Sequence, residues 1–154
     1  MDNPTFVPAL SYRDPKAALA WLEHAFGFET TMAIEGADGD VTTSHYEMAL
    51  AGQGRIMVGA EWAEWTKSPL SAGGVNTQSL HVEVPGDLDE HCERARAAGA
   101  VIVREPEDQF YGDRVYQALD LEQHNWSFSV HVRDVARADA EEAIGAKIEA
   151  KNWA

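Results

Sequence analysis

Three alternating stretches hold most of the side chains able to do chemistry. Val41 to Leu50 carries Thr43, His45 and Glu47 at every second position; Thr77 to Val84 carries Thr77, Ser79, His81 and Glu83; Asn125 to Val132 carries Asn125, Ser127, Ser129 and His131. Successive side chains of a strand point to opposite faces, so each set shares one face. Imidazole and carboxylate groups together transfer protons near neutral pH, and both ligate divalent metals. Brought into one cup, His45, Glu47, His81 and Glu83 would form an acid/base pair or an unorthodox metal site, with Ser127 and Ser129 adding polar contacts. Spacing alone leaves the plainer alternative open: a solvated strand face for His45 and Glu47, and structural hydrogen bonds for the rest.

Aromatic residues supply a second kind of candidate. Trp62 and Trp65 lie in Ala60 to Val75, a stretch broken by Pro69, Gly73 and Gly74. Large aromatics outside a periodic element either pack in a core or dimer contact or line an apolar pocket. With Phe110 and Tyr111 they could clamp a flat or extended ligand. Trp21 and Trp126 fall at core periodicity, and Trp153 reads as exposed. His24 and His91 sit on helices beside acidic neighbours and read as solvated, while His124, in a turn, reads as bonded to local backbone. The one cysteine, Cys92, excludes an internal disulfide and a multi-cysteine zinc site, and its helical spacing makes it a buried thiol.

The elements that must position these residues follow in order. Thr5 to Tyr12 alternates as a strand; Asp14-Pro15 starts a helix, whose apolar stripe Ala18, Trp21, Leu22, Ala25 and Phe26 ends at Gly27. Strands follow at Phe28 to Ile34, Val41 to Leu50 and Arg55 to Gly59, separated by the turns Gly36 to Asp40 and Ala51 to Gly54. The order then repeats: strand Thr77 to Val84, a helix with Leu88, Cys92, Ala95 and Ala98 stopped by Gly99, and strands Val101 to Glu105, Arg114 to Leu119 and Asn125 to Val132. In the last of these Trp126, Phe128, Val130 and Val132 form the core face. Gly27 and Gly99 stand 72 residues apart in equivalent places, the mark of an internal duplication. We divide the chain into a first βαβββ module (residues 1–59), a linker (60–75), a second βαβββ module (76–132) and a C-terminal helix or tail (133–154). The fold class is α+β, two tandem modules of curled mixed sheets around a cleft.

Composition narrows the function. At 45% hydrophobic and 25% charged residues the chain is globular, and 26 acidic against 12 basic residues give a net charge of −14. That field repels phosphate backbones and anionic membranes, excludes nucleic acid as a partner and favours a cationic ligand. No apolar run reaches the length of a membrane span, and the N-terminal residues lack a basic-then-apolar pattern, so a cytoplasmic protein is expected. The glycine-rich turns lie between strands and are not phosphate loops, and neither GxSxG nor HExxH occurs.

Two modules of this order, the SYRDPKAALAWLEHAFGFE stretch, and EPEDQFYGDR followed by LDLEQHNWSF resemble the vicinal oxygen chelate superfamily, in particular its glyoxalase/bleomycin resistance/dioxygenase group and the small PhnB-like members. The resemblance implies two cups meeting in a cleft, frequent homodimers, and in metal-dependent members histidine and glutamate ligands on the first and last strands of the modules. His81 matches one such position; the others fall at Val7 to Ala9, at Arg55 to Met57 and at Ser127, which cannot complete the set. No cofactor is therefore expected; a divalent metal, if present, would need His81 with His45 and Glu47. The ligand-binding set is His45, Glu47, Trp62, Trp65, His81, Tyr111, Ser127 and Ser129. Two functions remain open: a metal-free small-molecule binder, or a metal-dependent lyase, isomerase or dioxygenase.

Overall fold

The computed structural model describes residues 3–154. In chain order the elements are β1 (Ala9–Tyr12), α1 (Pro15–Phe26), β2 (Glu29–Ile34), β3 (His45–Leu50), β4 (Gly54–Ala60), β5 (Leu80–Glu83), α2 (Leu88–Ala97), β6 (Val101–Asp108), β7 (Asp113–Leu119), β8 (Asn125–His131) and α3 (Arg137–Ile144). The fold is α+β, with two four-stranded mixed sheets ordered β1-β4-β3-β2 and β5-β8-β7-β6. In each, the strand before the helix pairs parallel with the last strand, and the other pairs are antiparallel.

Local chemistry sets the helix ends. Asp14 accepts a hydrogen bond from the Ala17 amide at 3.1 Å, Pro15 needs no donor partner in the first turn, and Gly27 closes α1 at φ 81°, where a side chain would be strained. Gly99, 72 residues later, has φ 98°.

The helices form the layer on which both sheets pack. Leu22, Ala25 and Phe26 of α1 and Leu88, Cys92 and Ala95 of α2 are buried with Leu10, Met48 and Val58 of the first sheet and Tyr116, Trp126 and Phe128 of the second. Phe26 crosses between modules, its ring centroid 4.6 Å from Phe128 and 5.4 Å from Trp126. The opposite faces of the two sheets are left free to line a cleft. Cys92 is buried and its thiol is pushed up to about 11, chiefly by loss of water, so it is chemically quiet.

Several expected boundaries move. Residues 37–39 and 41–43 form short 3-10 turns, so Thr43 leaves the strand face and hydrogen-bonds its hydroxyl to the Asp40 carbonyl and the Ala37 amide. Thr77 and Ser79 precede β5, and residues 5–8 precede β1. β6 continues through Pro106 to Asp108, because it is an edge strand, where a missing donor goes unused. Val132 lies beyond β8 and is exposed instead of extending the core.

His91 is the sharpest correction to the histidine assignments. It is held at the seam between modules, with Nδ1 2.6 Å from the Tyr116 hydroxyl and Nε2 2.9 Å from the Phe26 carbonyl. A carbonyl can only accept, so Nε2 carries the proton and Nδ1 accepts from Tyr116. Burial lowers the pKa of His91 below its ordinary value of 6.5. A native pKa below the unfolded one means that the unfolded chain binds the extra proton first, so stability from this site is present above pH 6.5 and is lost as pH falls below it. The urea midpoint is expected to drop between pH 7.5 and pH 5.5, and His91→Gln is expected to flatten that drop; a slope unchanged in the variant would remove His91 as its cause.

Candidate functional site

Strand register defines the site more closely than any single residue. Across the second sheet one row reads Arg104, Gln117, Ser127 and His81, in β6, β7, β8 and β5; the next reads Glu107, Val115, Ser129 and Glu83. Gln117 donates from Nε2 to the Ser127 hydroxyl at 2.9 Å, and His81 Nε2 lies 3.0 Å from the Ser129 hydroxyl. Ser127 and Ser129 are buried by these contacts, while His81 and Glu83 are exposed. Tyr111 stands at the rim, its hydroxyl pKa raised by burial. Together His81, Arg104, Glu107, Tyr111, Gln117 and Ser127 line a hollow of about 200 Å³.

The corresponding row of the first sheet is Met32, Glu47, Met57 and Ala9. Both rows owe their first member to a register shift at the same point of the duplication, Thr30/Met32 in β2 and Ile102/Arg104 in β6, with 102 − 30 = 72 and 104 − 32 = 72. An extra residue reverses the alternation there and re-aims the side chain. This row is apolar apart from Glu47, which sits 3.4 Å from His45 Nε2 and 3.8 Å from Arg55 Nη1. Arg55 Nε is buried without a partner among the described residues.

At one end of this face lie Trp62 and Trp65. A hydrogen bond of 2.6 Å between Ser11 and Thr66 and the Ala63/Thr66 bridge fold their loop back over β1. The rings meet edge to face at 4.7 Å and remain 56% and 76% exposed, so they plug no core. Phe110 and Tyr111 make a similar pair at 5.1 Å beside the second sheet. A larger crevice of about 720 Å³ lies where the modules meet, between the arm at Pro4, Phe6 and Pro8, the β3–β4 turn and β5. His81 borders both this crevice and the smaller hollow.

The two candidate pairs thus occupy different sheets, His45 with Glu47 and His81 with Glu83, and no three His, Cys, Asp or Glu side chains converge on a metal position among the described residues. At the first- and last-strand places of the rows stand Ala9, Met57, His81 and Ser127. One imidazole, one hydroxyl and two apolar side chains do not fit a divalent metal, which needs three or four convergent donors.

A family model described as the Glyoxalase/Bleomycin resistance protein/Dioxygenase superfamily matches residues 7–128. The chain belongs to this superfamily. An uncharacterized protein of Mycobacterium bovis is 28% identical, over 94% of this chain and 95% of its own. TioX from Micromonospora sp. ML1 is 34% identical, with a TM-score of 0.62 over 86% of this chain and all of that one. TnmS3, an antibiotic binding protein from Streptomyces sp. CB03234, shares the fold at 15% identity and a TM-score of 0.62, over 83% of this chain and 97% of its own. Glyoxalase-superfamily sheets provide the two open faces; what this chain places on them is its own. Arg104 and Gln117 escaped the sequence reading, Arg104 because simple alternation puts it with Ile102 on the core face.

Other histidines serve structure. His124 donates to or accepts from no local group through its ring: Nε2 lies 2.8 Å from the Ser11 carbonyl, in the other module. His131 is clasped by Asp113 at 2.9 Å and Asp134 at 2.8 Å, whose hydrogen bonds raise its pKa. Trp153, expected to be free, is half-buried and donates to the Val135 carbonyl. Among the described residues no helix is long and apolar enough to cross a membrane.

Proposed function

We propose that this protein is a PhnB-like member of the superfamily that binds and sequesters a small molecule without the metal triad of its catalytic relatives. The observation that carries this reading is the set Ala9, Met57, His81 and Ser127 at the strand positions used for ligation, with His81 already hydrogen-bonded to Ser129. The binding surface consists of Trp62 and Trp65, His45 and Glu47 on the first sheet and His81, Tyr111, Ser127 and Ser129 on the second. The antibiotic binding protein TnmS3, a neighbour in fold, supports a sequestering role. Because the two open faces lie on different sheets, a homodimer that sets one against the other would enclose a ligand of drug size, which needs about 300 to 1,000 Å³.

Elemental mass spectrometry tests the reading. Protein purified without a metal-binding tag is expected to hold no stoichiometric Zn, Ni, Mn or Fe, before or after exposure to each ion and dialysis. One metal per chain that disappears in His81→Ala would overturn it and require lyase and dioxygenase assays. For binding itself, tryptophan fluorescence is the readout: a ligand that quenches the wild type is expected to lose about tenfold or more in affinity in the Trp62→Ala, Trp65→Ala double variant, since each large aromatic contact contributes on the order of 1 kcal/mol.

A further inference from the structure

The two corresponding rows of the duplication differ in chemistry, and the difference points to a ligand class. Where the first module has Met32, Glu47, Met57 and Ala9, the second has a guanidinium, a carboxamide, a hydroxyl and an imidazole. All four can donate hydrogen bonds. Moreover, in a chain with 26 acidic residues Arg104 makes no ion pair or side-chain hydrogen bond among the described residues, a freedom that among the arginines only Arg137 of α3 shares, whereas Arg13, Arg55, Arg94, Arg96, Arg114 and Arg133 are all engaged. Its neighbour Glu105 is taken by Arg96 at 2.7 Å. A free guanidinium over a hollow, surrounded by surplus carboxylates that are not its partners, is an open recognition element.

The hydrogen bonds already made aim the rest of the row. Ser127 accepts from Gln117, which leaves its own proton to donate into the hollow. His81 uses Nε2 toward Ser129 and keeps Nδ1 free. Tyr111 lines the same space. Neighbouring strands stand about 4.8 Å apart, so these donors span the width of one planar head group and its attachment.

We propose that this row is a carboxylate-binding subsite, in which Arg104 grips both oxygens and Ser127 and Tyr111 donate to one of them. The inference rests on the metal-free reading above and assigns to that cup the ligand's anionic end. The hollow, at about 200 Å³, holds a head group and not a whole ligand; the remainder passes His81 into the larger crevice, whose walls include Phe28, Leu80 and Val82. Glu105 and Glu107, which also line the hollow, and Glu83, one row away from His81, repel any anion that the Arg104 guanidinium does not neutralise and so restrict the site to a single anionic group. The charge pattern also sets the salt dependence: a net charge of −14 opposes an approaching anion, and added salt screens that repulsion more than it weakens a close bidentate pair.

The probes are benzoate and its uncharged isostere benzamide, titrated into the full chain and followed by amide shifts in ¹H–¹⁵N correlation spectra. Benzoate is expected to bind at least about tenfold more tightly than benzamide, the worth of one charge-assisted contact, and to shift the amides of residues 104, 117 and 127. Its affinity should hold or rise between low and physiological salt. Arg104→Gln is expected to bring benzoate down to the benzamide level and leave benzamide unchanged, whereas Lys67→Gln, an exposed control, changes neither. Equal binding of the two probes at these residues overturns the carboxylate assignment and leaves small-molecule binding standing. Benzoate binding that survives in Arg104→Gln, or no benzoate binding at millimolar concentration, likewise overturns it. A stoichiometric metal found in the same preparation would instead overturn the reading beneath it.

Discussion

Asp120→Ala is expected to lower the free energy of unfolding by about 3 to 5 kcal/mol, the range for breaking a buried, multiply bonded polar group. The carboxylate is 4% exposed and accepts four hydrogen bonds: from the Tyr12 hydroxyl at 2.7 Å, Trp126 Nε1 at 3.1 Å, and the amides of Glu122 at 2.9 Å and His124 at 3.0 Å. Burial raises its pKa above the ordinary aspartate range, while Tyr12, His124 and Trp126 pull it down. Removing the acceptor strands several buried donors at once. Tyr12 belongs to β1 and Asp120 to the β7–β8 turn, so the loss falls on the joint between modules. Glu122 reinforces that joint by accepting from the amides of Arg13 and Asp14 at the start of α1. Urea unfolding checks the prediction: the midpoint should fall with an unchanged slope. Tyr12→Phe, which removes one donor and leaves three, should cost only about 1 kcal/mol. A loss below that value in Asp120→Ala would show that the network is not a joint.

The second large effect is expected at Phe26→Ala, about 3 to 5 kcal/mol, as for other phenylalanines truncated in a packed core. Phe26 is fully buried and touches Trp21 and His91 as well as Trp126 and Phe128, with ring centroids 5.0 and 6.2 Å away for the first two. It is a residue of the first module filling the core of the second. Truncation leaves a cavity that neither sheet can close alone, because each is braced by its own ladder. Near-ultraviolet circular dichroism should show weakened Trp126 signals, and unfolding should remain a single transition at lower urea. Two separated transitions would show instead that the modules are independent and that Phe26 only decorates their contact.

These two residues also show how far the sequence reaches. Period-two and period-3.6 patterns, the Asp14-Pro15 start and the glycine stops at Gly27 and Gly99 are local properties, set within a turn or two of chain, and they were enough for the α+β class and the duplicated order of elements. Ser127 and Ser129 were legible as the polar face of one strand, and His81 as a polar position of another, for the same reason; that these strands pair was not in the spacing. The family match over residues 7–128 agrees with that order.

What depends on contacts between distant segments was not legible. Register shifts at Thr30/Met32 and Ile102/Arg104 turn Met32 and Arg104 onto the open faces, and a shift is decided by pairing with β3 and β7, not by the shifted strand. Asp120 carries no pattern in the sequence that sets it apart, and His91 read as solvated; each is defined by a partner 25 or more positions away, Tyr116 for His91 and Tyr12 for Asp120. Trp62 and Trp65 carried no periodic signal, and only the fold of their loop over β1 left them exposed. The sequence by itself determined which strands, helices and polar faces this protein has, because backbone sterics and hydrophobic periodicity act over a few residues. Tertiary structure alone decided which of those faces align into a row of donors, because register and burial are fixed by chains that meet only after folding.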